Sequence, residues 1–145
     1  MSNMPLNVLL ADDDLDDCAF FREALNELDI EIKLTTVNDG VQLISLLNSN
    51  IETLPDALYL DLNMPCKNGF ECLVEIKQNP TLKQLPIIIF STSLDTDVAN
   101  RLHEHGAHYY IRKPAEFQNL KKIISKSLDY ISLSTPTKEN FIIQI

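Results

Sequence analysis

The stretch "VLLADDDLDDCAFF" (residues 8–21) changes its period halfway along, and that change decides the fold. Val8 to Ala11 form an unbroken apolar run, as in a strand buried on both faces. From Leu15 onward the apolar residues Leu15, Cys18, Phe21, Leu25 and Leu28 fall three or four apart, which is one face of a helix. Between the two patterns lie Asp12, Asp13 and Asp14, with Asp16 and Asp17 just beyond. Two like charges ~4 Å apart, at an effective dielectric of ~20, repel by about 4 kcal/mol. Either most of these carboxylates face water, or something positive sits among them.

The same alternation continues outward. Strand-like runs at "NVLLA" (7–11), "EIKLTTV" (31–37), "DALYLDL" (56–62), "LPIIIFST" (85–92) and "AHYYI" (107–111) each precede a helical pattern. The helices are marked by Val41, Leu43, Ile44 and Leu47; by Phe70, Leu73, Val74 and Lys77; more weakly by Val98 and Leu102; and by Phe117, Leu120, Ile123, Ile124, Leu128 and Ile131. Five βα units in succession predict an α/β fold, a doubly wound parallel sheet of five strands covered on both faces. Right-handed crossovers leave few topologies open. The most apolar strand, 85–92, is expected to be central.

A length of 145 residues suits one domain with an ordinary core. Net charge is −9 and the basic residues form no patch, which argues against nucleic acid as a partner. No apolar run reaches membrane-spanning length, and the N-terminus lacks a secretory pattern. Cys18, Cys66 and Cys72 lack zinc or disulfide spacing, so free thiols and a cytoplasmic location are expected. His103, His105 and His108 invite a zinc reading, but the first two do not share a helix face.

In an open parallel sheet, ligands bind beyond the carboxyl ends of the strands. Those ends carry Asp12 and Asp13, then Asp61, then Ser91 and Thr92, then Lys113 followed by Pro114. Singly, each has an ordinary explanation as a turn residue, a cap or a solvated charge. Asp14, Asp16 and Asp17 are read that way, as acids opening a helix and contributing about 0.3–1 kcal/mol each. Together, the other residues make a coherent set. Clustered carboxylates suit a hard cation such as Mg²⁺. Aspartate can act as a nucleophile toward phosphorus, and phosphoryl transfer needs chiefly positioning and charge neutralisation.

In order and register, "LLADDD", "YLDLNMPCKNGFE", "PIIIFSTS" and "GAHYYIRKP" resemble the receiver domain of two-component response regulators, over about residues 6–131. The resemblance implies a flavodoxin-like sheet of strand order 2-1-3-4-5 and a phosphoryl group accepted from a histidine kinase or phosphotransfer protein. It makes Asp61 the phosphoacceptor and assigns Mg²⁺ to Asp12, Asp13, Asp61 and the backbone carbonyl of Asn63. Ser91 becomes the switch hydroxyl, Lys113 the phosphoryl-binding lysine and Tyr110 the aromatic switch, its ring turning inward on phosphorylation. It also implies a cis Lys113–Pro114 bond. A phosphoacceptor of this type assists its own phosphorylation and dephosphorylation without being an enzyme on other substrates.

With a receiver at 1–131 and only a tail at 132–145, no output domain is expected, so signalling must pass through contact with a protein target. The alternative is a phosphorylation-independent adaptor, which would tolerate loss of the acidic or lysine positions; none is lost. The tail ends in "FIIQI" (141–145), which is expected to cover apolar surface on its own domain or in a homodimer.

Overall fold

The strands explain the architecture. In the computed structural model, which describes residues 5–133 and 136–144, five parallel strands lie in the order β2-β1-β3-β4-β5. They are β1 (Leu6–Ala11), β2 (Ile32–Val37), β3 (Ala57–Leu60), β4 (Ile87–Ser91) and β5 (Tyr109–Arg112). The helices are α1 (Leu15–Asn26), α2 (Gly40–Ser49), α3 (Gly69–Gln78), α4 (Thr96–Glu104) and α5 (Phe117–Leu133). The doubly wound fold and its strand order are those expected from the sequence. The middle strand is β3, however, and β4 lies one place over, paired on both sides. Both are buried along their whole length, so apolar content could not rank them.

Side chains alternate across the sheet. Leu9, Leu58, Leu60, Ile87, Ile89 and Tyr110 pack toward α2, α3 and α4. Val8, Leu10, Tyr59, Ile88, Phe90, Tyr109 and Ile111 pack toward α1 and α5. The buried Tyr59 hydroxyl donates to Ser127 Oγ at 2.5 Å, and Ser127 donates onward to the Ile124 carbonyl at 2.7 Å. Three residues taken as core markers face solvent instead: Leu15 (69% exposed), Val41 (53%) and Val98 (37%). Leu15 and Val41 stand in the first turns of their helices, and the buried residues of α1 begin only at Cys18.

The tail packs on its own domain. The Tyr110 N–H donates to the Phe141 carbonyl at 2.8 Å, and the Ile143 N–H donates to the Tyr110 carbonyl at 2.9 Å, a parallel bridge on the outer side of β5. Phe141 and Ile143 are both buried, and the Phe141 ring meets His103 of α4 edge-on, 4.9 Å between centroids. Lys126 of α5 donates to the Gln144 carbonyl at 2.5 Å. The tail therefore closes the open edge of β5 between α4 and α5, an edge that would otherwise offer unpaired backbone groups. Ile145, the last residue of the expected apolar segment, lies outside the described residues.

Full burial of a phenylalanine side chain contributes about 1.5–3 kcal/mol. Phe141→Ala is expected to lower the unfolding free energy by about that amount, read by urea denaturation. An unchanged midpoint would show that the tail does not dock.

Candidate functional site

The strand ends gather the expected residues, and side-chain alternation sorts them onto two faces. Asp12 follows Leu10 in the parity that points toward α1 and α5, as Asp61 follows Tyr59 and Lys113 follows Ile111. Ser91 has the opposite parity, that of Ile89, and shares its face with Tyr110.

On the first face, one oxygen each from Asp12, Asp13 and Asp61 lies within 4.8 Å of the others, with Asp12 and Asp61 buried and Asp13 exposed. Lys113 Nζ reaches this group from β5, 2.7 Å from Asp12 and 3.9 Å from Asp61. The other Asp12 oxygen accepts the Asp14 N–H at 3.0 Å, so both are engaged. The Asp61 carboxylate accepts the Asn63 backbone N–H. Gly69 opens α3 directly behind, where a Cβ would collide with the Asp61 carbonyl oxygen; the helix can start this close to the strand end only with glycine there. Asn68 caps α3 in a reciprocal pair with Glu71.

Burial pushes the Asp61 carboxyl from 3.8 up to about 7; the Lys113 ammonium works against this, and neighbouring Asp12 adds to it. Burial by itself would lower Lys113, but its hydrogen bonds to Asp12 and Asp17 prevail and hold it charged. The phosphoryl-type chemistry open to such a site is nucleophilic: a carboxylate beside a fixed ammonium and two further carboxylates able to hold a hard cation.

On the second face, Ser91 is buried and its Oγ accepts the Ser93 N–H at 3.4 Å. The Tyr110 hydroxyl donates to the Ser93 carbonyl at 2.5 Å, and the ring is already inside, 6.4 Å from that of Phe141. The expected inward turn thus has no outward starting point here. Tyr110 is held by the tail on its backbone and by the β4–α4 loop on its hydroxyl.

Other expectations resolve differently. Asp14 caps α1, accepting the Asp16 and Asp17 N–H groups, as read from the sequence. Asp17 does more: its carboxylate accepts from Lys113 Nζ at 2.9 Å, a contact that the first-turn reading missed. All peptide bonds among the described residues are trans, Lys113–Pro114 included. That is the commoner form of an X–Pro bond, and with it the Lys113 side chain still spans to Asp12. The histidines part company: His103 meets Phe141, His105 meets Phe70, and His108 accepts the Ile87 N–H at 3.3 Å. The three cysteines are free, and burial raises the Cys18 and Cys72 thiols to about 11. Cys66, in the loop after Asp61, has φ 70° inside a tight turn closed by the Lys67 N–H on the Pro65 carbonyl at 2.7 Å.

Residues 8–125 match the family model of the response regulator receiver domain, and the chain belongs to that family. It is 33% identical over 127 residues to response regulator Rcp1 of Synechocystis sp., covering 85% of this chain and 86% of that protein. The crystal structure of the phosphorylated cyanobacterial phytochrome response regulator RcpA superposes with a TM-score of 0.82 at 30% identity, covering 92% of this chain and all of that one (100%). The Mn²⁺-bound form of Rcp1 superposes at 0.76 with 31% identity, covering 92% and 98%. No helix among the described residues is long and apolar enough to cross a membrane.

A carboxyl raised by folding binds its proton more tightly folded than unfolded. Its stabilising effect is therefore present at low pH and lost as pH rises from about 4 to about 7. In metal-free buffer, the stability of the wild type relative to Asp61→Asn is expected to fall across that window and level off above it. Urea denaturation at a series of pH values measures this; a difference independent of pH would contradict the raised carboxyl.

Proposed function

We propose that this chain is a stand-alone response regulator whose Asp61 accepts a phosphoryl group from the phosphohistidine of a histidine kinase or phosphotransfer protein. The observation carrying this reading is the meeting of the Asp12, Asp13 and Asp61 oxygens beside Lys113 Nζ at one end of the sheet. In the transfer, an Asp61 carboxylate oxygen forms a bond to phosphorus while the phosphorus–nitrogen bond of the donor breaks, and the donor imidazole keeps that electron pair.

The oxygen donors of the cluster fit a small divalent cation, and the related Rcp1 has a Mn²⁺-bound form. Asp12, Asp13, Asp61 and the Asn63 carbonyl would hold Mg²⁺, which when bound supplies positive charge to the phosphoryl oxygens. Lys113 supplies a second positive charge from the β5 end, and Ser91 a hydrogen bond once its Oγ turns from Ser93 across the end of β4. Asp61 stands 6% exposed, so the donor must reach it through the mouth framed by these side chains. Ser91 and Tyr110 form the switch that transmits occupancy to the face of α4, β5 and α5, where a downstream protein reads it. We place the receiver at 1–131, the tail at 132–145 and the protein in the cytoplasm, with self-promoted loss of the phosphoryl group returning it to rest.

Incubation with Mg²⁺ and acetyl phosphate should add about 80 Da to the intact mass, the increment of one phosphoryl group. Asp61→Asn should abolish it, and Lys113→Met should slow it about a hundredfold, as loss of one fixed charge stabiliser does. Full yield in the Asp61→Asn protein would overturn the assignment.

A further inference from the structure

Lys113 carries three N–H donors. Two are committed, to Asp12 at 2.7 Å and Asp17 at 2.9 Å, while Asp61 at 3.9 Å lies beyond hydrogen-bonding distance. The ring of Phe90 lies 5.3 Å from the same nitrogen. Asp12 and Asp17 are unlike partners. Asp12 is fully buried within the carboxylate group, whereas the Asp17 side chain is 35% exposed on α1, outside that group. Nor does α1 need the Asp17 carboxylate to start, since Asp14 is its cap. The Asp17 contact therefore commits one Lys113 donor to α1, outside the carboxylate group that holds Asp61.

We propose that Asp17 is a positioning residue for phosphoryl uptake: it restrains Lys113, and that contact is given up when Lys113 turns to a phosphoryl group on Asp61. The proposal rests on the reading of Asp61 as phosphoacceptor. A phosphoryl group brings a charge of about −1.5 to −2 to the Asp61 side of Lys113, against the single charge of Asp17. The lysine then has more to gain from the phosphoryl oxygens than from a partly solvated carboxylate. Asp17 is thus an interaction made in one arrangement and lost in the other, and it sets the balance between them.

The test is the affinity for beryllofluoride, a phosphoryl mimic, in saturating Mg²⁺, followed by amide NMR. Asp17→Asn should bind it about threefold or more tightly than wild type, because the restraint on Lys113 is gone. The same variant should melt at a lower temperature, having lost an ion pair. Stability and affinity moving in opposite directions is an outcome that a merely structural role does not produce. Asp17→Glu, which keeps the carboxylate, should stay near wild type. Asp16→Asn removes the same charge from an exposed neighbour and should leave affinity unchanged. Equal or weaker binding by Asp17→Asn, or equal tightening by Asp16→Asn, would overturn the proposal while leaving Asp61 as acceptor. A wild type that takes up no beryllofluoride would overturn both.

Discussion

An ion pair between Lys113 and Asp12, 2.7 Å long with side chains 9% and 0% exposed, is the constraint on which the site depends. Withdrawing two charges from water costs several kcal/mol per ion, and the attraction between them offsets this only if the remaining donors and acceptors are satisfied. Here they are. Asp14 N–H takes the second Asp12 oxygen, and Asp17 takes another Lys113 proton. Among the described residues no buried side-chain nitrogen or oxygen is left without a partner. The pair joins positions 101 residues apart in the chain, at the ends of β1 and β5, with β3 and β4 between them in the sheet. The cluster of aspartates that opens the sequence is thus tolerated because the fold brings it a cation of its own.

That arrangement leaves Asp61 in a divided environment. Desolvation favours its neutral form, while Lys113 favours the ionised form that a nucleophile needs. A bound divalent cation would tip the balance toward the carboxylate. Across the sheet, Ser91 and Tyr110 lie on the opposite face, and Tyr110 connects the β4–α4 loop to the tail through its hydroxyl and its backbone. A single residue of β5 thereby touches both the neighbourhood of the site and the segment sealing the sheet edge.

Much of this was legible in the sequence, because two periods and one topological rule carry it. Apolar runs of strand length alternating with helical spacing gave the five βα units, and the carboxyl ends of parallel strands gave Asp12, Asp13, Asp61, Ser91 and Lys113. The contact of Asp17 was hidden because a first-turn acid has a sufficient local reason to be there; only the position of Lys113, almost a hundred residues on, gives it a second. Leu15, Val41 and Val98 fit a helical period yet face water, since periodicity marks a face without showing what lies opposite it. Tail composition showed that "FIIQI" needed cover, but which surface supplied it depended on the outer edge of β5 being free. The inward ring of Tyr110 is tied through its hydroxyl to the Ser93 carbonyl, and no local signal in the sequence records that.

The central claim is that Asp12, Asp13 and Asp61 form one cation-binding phosphoacceptor site bordered by Lys113. It is tested most directly by a Mg²⁺ titration followed by amide NMR. Saturable shift changes should centre on Asp12, Asp13, Asp61 and Asn63 and extend to Lys113. Changes confined to the exposed acids Asp14 and Asp16, or none that saturate, would contradict the account.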